Sequence, residues 1–186
     1  CRIGSMMDRV QEIGQEAIAL TDHGVMYGTI DFYRAAKKAG IKPIVGCEVY
    51  VARRTRFDKV HGVDKEPYHL VLLCENETGY RNLSYMVSLG FTEGFYNRPR
   101  VDMELLREHH EGLIALSACL AGRIPQSIMQ DDLQAAEQAA REYAEVFGPD
   151  HFYLELPDHC IPEQRTVNAQ IRKLAEKLSL PLVVTN

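Results

Sequence analysis

Six short apolar runs punctuate the chain at strand length: Ala17–Leu20, Pro43–Gly46, Leu70–Leu73, Leu113–Leu116, Phe152–Leu156 and Leu182–Val184. Several are apolar on consecutive residues, the pattern of strands buried on both faces of a parallel sheet. Between them the period changes to that of a helix. Val10 and Ile13 follow Ser5, a possible N-cap, and Ile30, Tyr33, Ala36 and Lys37 run down to Gly40 as a helix stop. Leu83, Met86 and Val87 share a helical face. So do Leu133, Ala136, Ala140, Tyr143 and Phe147 ahead of Gly148-Pro149, and Val167, Ile171, Leu174 and Leu178. One helix followed by alternating strands and helices predicts a parallel sheet with right-handed crossovers, either open and doubly wound or closed as a barrel. Neither G-x-G-x-x-G nor G-x-x-x-x-G-K-[ST] occurs, which favours closure. Arg53–Pro67 and Gly90–Pro99 are polar or aperiodic and read as excursions over the barrel mouth.

At 186 residues the chain suits one domain, spanning 1–186, with about 70% of its surface buried on folding. No apolar run approaches the roughly eighteen residues of a bilayer span. Twenty-one Lys and Arg against 26 Asp and Glu leave a net charge of −5, which excludes a binder that coats phosphate with bulk positive charge but leaves room for a local basic groove. Five scattered cysteines, an odd number, read as reduced thiols of a cytoplasmic protein. The chain starts without Met and stops just after an apolar run, and both ends read as cuts within a longer protein.

Several strands end in titratable or metal-binding residues: Thr21-Asp22-His23-Gly24, Cys47-Glu48, Ser117-Ala118-Cys119 and Asp158-His159. In a parallel barrel these C-termini share one face, where the side chains converge. His23, with Gly24 allowing a tight turn, suits a metal ligand or proton carrier; alternatively it is a turn histidine capping the next helix. Glu48 lies inside Val45–Val51, where an unpaired carboxylate would cost several kcal/mol, on the order expected for buried charge, so a metal or an Arg partner is expected unless it faces solvent. His69 and Cys119 complete an N/O/S set for zinc, although a lone cysteine is more often a small buried core residue than a ligand. His69 sits at the start of its strand, the wrong end for a parallel barrel, and reaches the mouth only if residues 47–52 and 66–70 form a local hairpin. His109-His110, His61 and His151 read as solvated surface, and His159 as either a site or a turn residue. No G-x-S-x-G or C-x-x-C occurs. In Gly94–Arg100, Tyr96, Arg98 and Arg100 combine stacking with phosphate-gripping chemistry; a packed loop anchored by Phe95 is the alternative.

Taken in order, Ala19–Gly24, Gly40–Glu48, Tyr68–Leu73, Asn76–Leu83 and Gly112–Cys119 closely resemble the polymerase and histidinol phosphatase (PHP) family, specifically the N-terminal PHP domains of bacterial DNA polymerase III alpha subunits, the C-family replicative polymerases. The resemblance runs over nearly the whole chain; Gly94–Asp102 and Phe152–Gln164 fit it too. It implies a distorted (β/α)7 TIM-like barrel, truncated at its first strand and after its last. It also implies a mouth holding up to three zinc or manganese ions and, in active members, 3′ to 5′ proofreading exonuclease activity. Carried over by position, His23, Glu48, His69 and Cys119 match metal ligands, with Glu48 and His23 in catalytic roles and Tyr96, Arg98 and Arg100 on DNA. The implied partners are the primer-template 3′ end, the remainder of the alpha subunit, a separate exonuclease subunit and, through the full protein, the sliding clamp. The family's H-x-H pair with its following aspartate, and the Asp-x-His after the position of Asn186, are absent. This incomplete site is expected to bind zinc weakly and to lack hydrolytic activity. Two other readings are a structural metal-stabilised module that docks an exonuclease subunit and a free-standing PHP phosphatase.

Overall fold

The computed structural model describes residues 2–148 and 150–185; the readings that touch Cys1, Pro149 and Asn186 lie outside the described residues. The elements are α1 (Ile3–Glu12), β1 (Ala17–Leu20), α2 (Thr29–Ala39), β2 (Lys42–Val51), β3 (Tyr68–Cys74), α3 (Glu77–Thr92) and β4 (Arg100–Val101), then α4 (Met103–Glu108), β5 (Leu113–Leu116), α5 (Arg123–Met129), α6 (Leu133–Phe147), β6 (Phe152–Pro157), α7 (Pro162–Leu178) and β7 (Leu182–Thr185). All six expected strands form. The additions are the two-residue β4 and the short α4 and α5, segments too brief to show a period. Among the described residues no helix is long and apolar enough to cross a membrane.

The strands make one curled sheet in the order β1-β2-β3-β5-β6-β7, with β4 beside β2. Pairing is parallel throughout except at β3, which runs antiparallel to both β2 and β5. The expectation of an all-parallel sheet is therefore corrected. A parallel return needs a crossover of a dozen or more residues, usually a helix. Residues 52–67 hold no helix, and the chain folds back on itself as a long hairpin with Tyr50 opposite His69. This reversal brings the start of β3 to the end of the sheet where β1, β2, β5 and β6 finish.

The outer face of the sheet (Cys47, Val49, Leu70, Leu72, Ala115, Phe152, Leu154) packs against the helices in the main core, with Leu83, Met86, Ala140, Tyr143 and Ile171 contributed by α3, α6 and α7. The Tyr143 and Phe152 rings lie 5.5 Å apart within it. A second cluster joins α1 and α2 through Met7, Val10, Phe32 and Ala36. The inner face carries Val71, Leu116 and Ala118, flanked by Leu73, Ile114, Tyr153 and Val183. The polar residues of the site stand on this same face.

Helix ends follow local chemistry with two corrections. Asn76, Asp102 and Asp132 cap α3, α4 and α6 by accepting from the backbone N–H three residues on. Gly40 ends α2 in the left-handed region at φ 73°, as its position predicts. Ser5 is not a cap: the Arg2 carbonyl already accepts from the Met6 N–H, so α1 begins at Ile3 and Ser5 lies inside it. On α2 the buried stripe is Phe32 and Ala36, whereas Ile30 and Tyr33 are exposed.

The excursion 52–67 is held by charged contacts within itself and to the ends of α3 and α4. Arg54 forks onto both oxygens of Asp64 at 3.0 and 2.6 Å. Arg56 reaches Glu93 at 2.7 Å, Asp102 at 3.2 Å and Glu104 at 2.7 Å.

Candidate metal centre

Three sequence-predicted residues meet at the mouth end of the inner face. After β1, His23 pairs with Glu48 in an isolated parallel bridge: the Glu48 N–H donates to the Asp22 carbonyl at 3.1 Å and the Gly24 N–H to the Glu48 carbonyl at 2.9 Å. Gly24 has φ +69°, and a Cβ there would lie 2.8 Å from the Tyr50 ring, so only glycine lets the chain turn here. Glu48 projects from β2 onto the inner face, its side chain 15% exposed, rather than toward solvent. On β3, reversed as above, His69 holds its Nδ1 2.5 Å from Glu48 Oε1. The His23 Nδ1 lies 3.5 Å from the other oxygen, Oε2. One ligand atom from each of the three lies within 4.8 Å of the other two.

Cys119 stands at the edge of this set. Its Sγ is 3.9 Å from His69 Nδ1, carried there by a segment that runs beside His69: the His69 N–H donates to the Ala121 carbonyl at 3.0 Å. Contacts from Cys119 and Glu48 together favour the imidazolium, pushing the His69 pKa up to about 9. The proton on His69 balances the Glu48 carboxylate, a role a metal cation also fills. Cys47, one residue from Glu48, faces the outer core. Burial pushes its thiol up to about 12, so it stays protonated and is no ligand.

Beside the cluster, the Tyr50 ring meets His69 edge-on at 5.1 Å, and the guanidinium of Arg98 lies over Tyr50 at 5.5 Å. Arg98 is exposed and thus presents positive charge next to the metal-binding groups. Tyr96 is half-buried. Arg100 is corrected from a DNA contact to a structural residue. It is fully buried, and its guanidinium donates to the carbonyls of Gly94, Asp64, Arg56 and Asp58 at 2.9, 3.2, 3.0 and 2.8 Å. No face of it is left for phosphate. His159 is tied into the turn before α7 by Gln164 and stands apart from the cluster.

One polar residue of the inner face was not singled out from the sequence. Glu155 on β6 is 6% exposed; its Oε1 accepts from Thr185 Oγ1 at 2.8 Å, and its Oε2 is buried without a hydrogen-bond partner among the described residues. Burial raises its pKa, and the nearby Glu48 charge raises it further. The available signal was a glutamate flanked by leucines inside an apolar strand, the same pattern that drew attention to Glu48.

The family model that matches is described as the PHP domain and spans residues 1–159. The chain belongs to the PHP domain family. Among its relatives, DNA polymerase III subunit alpha of Treponema pallidum is 48% identical over 177 residues, covering 95% of this chain and 15% of the relative. That of Thermus aquaticus is 47% identical over 172 residues, covering 91% of this chain and 14% of the relative. This PHP domain thus spans about one seventh of these proteins. Among solved structures, one assigned to the metal-dependent phosphoesterases, from Bifidobacterium adolescentis, aligns with TM-score 0.63 at 12% identity over 98% of this chain and 80% of that one. An amidohydrolase from Chromobacterium violaceum aligns with TM-score 0.54 at 14% identity over 99% of this chain and 81% of that one. These two likenesses concern the fold alone.

The side chains of this PHP domain fit a divalent metal. Two imidazoles, a mostly buried carboxylate and a neighbouring thiol form a borderline donor set, and among the described residues the carboxylate side chain is held by histidines alone.

Proposed function

We propose that this PHP domain is the N-terminal part of a bacterial DNA polymerase III alpha subunit and that its metal centre supports 3′ to 5′ hydrolysis at the primer end. The observation that carries the reading is the convergence of His23, Glu48 and His69 at the mouth of the inner face, with exposed Arg98 beside them. His23, Glu48, His69 and Cys119 would hold zinc or manganese, which, when bound, activates water and polarises a phosphoryl oxygen.

The remaining work falls to the chain's own groups. Glu48 keeps both oxygens aimed at the cluster because the His23 bridge and the β2–β3 pairing fix its backbone on two sides. His23, the most exposed of the three with 64% of its side chain accessible, is placed to exchange a proton with a leaving oxygen. Arg98 offers a guanidinium to a DNA phosphate, and Tyr96 adjoins it on the same loop. The polymerising carboxylates belong to other parts of such a protein. In our reading residues 1–186 form one domain, and the curled sheet, whose edges are β1 and β7, is the larger part of a distorted (β/α)7 barrel. The DNA 3′ end and the rest of the alpha subunit are the first partners. The sliding clamp and a separate exonuclease subunit follow through the full protein, and the cytoplasm is its place.

Glu48→Ala in the full-length protein tests this. Loss of exonuclease activity with the polymerase rate retained is the expected result, the melting temperature falling by no more than the His69–Glu48 pair contributes. A fall in melting temperature together with polymerase activity would instead make the metal a structural one.

A further inference from the structure

We propose that Glu155 is a further ligand of the metal centre, offering its free Oε2 to a divalent cation on the inner face beside the His23–Glu48–His69 cluster. This role rests on the metal-centre reading above and adds to it a residue from a different strand.

Register places Glu155 on the correct side of the sheet. Glu48 pairs with Val71, Val71 with Leu116, and Leu116 with Tyr153, so all four point to one face. Glu155 lies two residues beyond Tyr153 on the same strand and therefore shares that face. Its partner across β7 is Val183, an inner-face residue, and Thr185 two residues on supplies the hydroxyl to Oε1.

The carboxylate is held as a ligand would be. The Glu155 N–H donates to Ser117 Oγ at 2.8 Å, and Thr185 Oγ1 donates to the carboxylate at Oε1. These bonds brace the turn after β5, where Ala118 sits at φ +64°, a conformation that costs a non-glycine residue energy and that persists where surroundings over-determine it. The next residue is Cys119, which reaches His69. One oxygen is thus fixed, while Oε2 remains buried with no donor among the described residues. Among the described residues no Lys or Arg pairs with Glu155, and the charged group nearest in effect is Glu48, also an acid. Glu48 is balanced by His69 and His23, whereas Glu155 has no basic partner among the described residues, and a cation on this shielded face supplies the counter-charge its carboxylate lacks.

The test uses the full-length protein, stripped with chelator and titrated with Mn2+, bound ions being counted by electron paramagnetic resonance. Glu155→Gln keeps the shape and the Oε1 contacts but replaces Oε2 by an amide nitrogen that cannot ligate. We expect it to bind one Mn2+ fewer per chain, or to bind the last ion at least tenfold more weakly, with the melting temperature of the metal-free form retained. Equal stoichiometry and equal affinity would overturn the proposal while leaving the metal centre intact. Wild-type protein that takes up neither Mn2+ nor Zn2+ would overturn both. Should Glu155→Gln fail to fold, Glu155→Asp, which keeps the charge one methylene short, decides: at least tenfold weaker Mn2+ binding supports the role, and unchanged binding refutes it.

Discussion

Arg100→Met removes a charge that has no access to solvent and, by our account, no access to DNA. Its guanidinium holds four backbone carbonyls from the excursion 52–67 and the turn before β4. Two of those acceptors, Gly94 and Asp64, are bonded in fully buried surroundings; the other two, Arg56 and Asp58, are partly buried and can be rehydrated. An acceptor left buried without a donor costs about 1–3 kcal/mol, so the first two put the loss at about 4 kcal/mol, with little offset from the apolar stem that Met retains. With a urea m-value of about 2 kcal/mol per molar, the unfolding midpoint should fall by about 2 M. Arg100→Lys should fall about half as far or more, since a point ammonium cannot reach four carbonyls that a planar fork spans. In the same preparation Arg98→Ala should leave the midpoint unchanged but weaken single-stranded DNA binding and lower its salt slope by about one. If Arg100→Met unfolds like wild type and loses DNA binding, while Arg98→Ala binds normally, the burial argument is wrong and the two arginines have exchanged roles.

Gly24→Ala combines a left-handed φ with a Cβ that meets the Tyr50 ring and Pro99, so a loss of about 2 kcal/mol or more in thermal unfolding is expected, accompanied by weaker Zn2+ binding because His23 is the preceding residue. In chelator, His69 should make stability depend on pH. Its folded pKa of about 9 exceeds its ordinary 6.5, so the stabilisation is complete below pH 6.5 and is lost as pH rises through 9, amounting to at most about 3 kcal/mol. Glu48→Gln should flatten this melting-temperature profile between pH 6.5 and 9.5, and a wild-type profile that is already flat would contradict the ion pair. With Zn2+ present the trend in binding runs the other way: metal competes with the His69 proton, so affinity should rise from pH 7 to 9.

What could be read from residues alone depended on whether the signal was local. The strands announced themselves because consecutive apolar residues fit burial on both faces, and this holds for β2, β5 and β6. His23 and Glu48 were visible because polar groups at the ends of such strands need a reason to be there. The direction of β3 was not visible in its own residues, since alternation and burial look the same whichever way a strand runs. The information lay in what precedes it: residues 52–67 have no helical period, and a connection without a helix usually returns antiparallel. His69 at the start of its strand then belongs at the mouth, and its apparent misplacement is itself evidence for the hairpin.

Arg100 was given the wrong role and Glu155 none, for opposite reasons. Arg100 follows proline and lies near an asparagine and a second arginine, a setting that suggests solvent; only the assembled loop shows that unpaired carbonyls from distant residues needed its donors. Glu155 lies between two leucines in β6, and its side-chain and backbone contacts, to Thr185 and Ser117, come from thirty or more residues away in sequence. In both cases a charged residue is buried where its backbone partners converge. A charge inside an apolar run, or beside a turn rich in free carbonyls, should therefore be assigned by asking what would satisfy it. The answer divides the two residues: every donor of Arg100 that reaches the loop has found an acceptor there, whereas Glu155 retains an oxygen with no partner among the described residues on the face where the metal ligands gather.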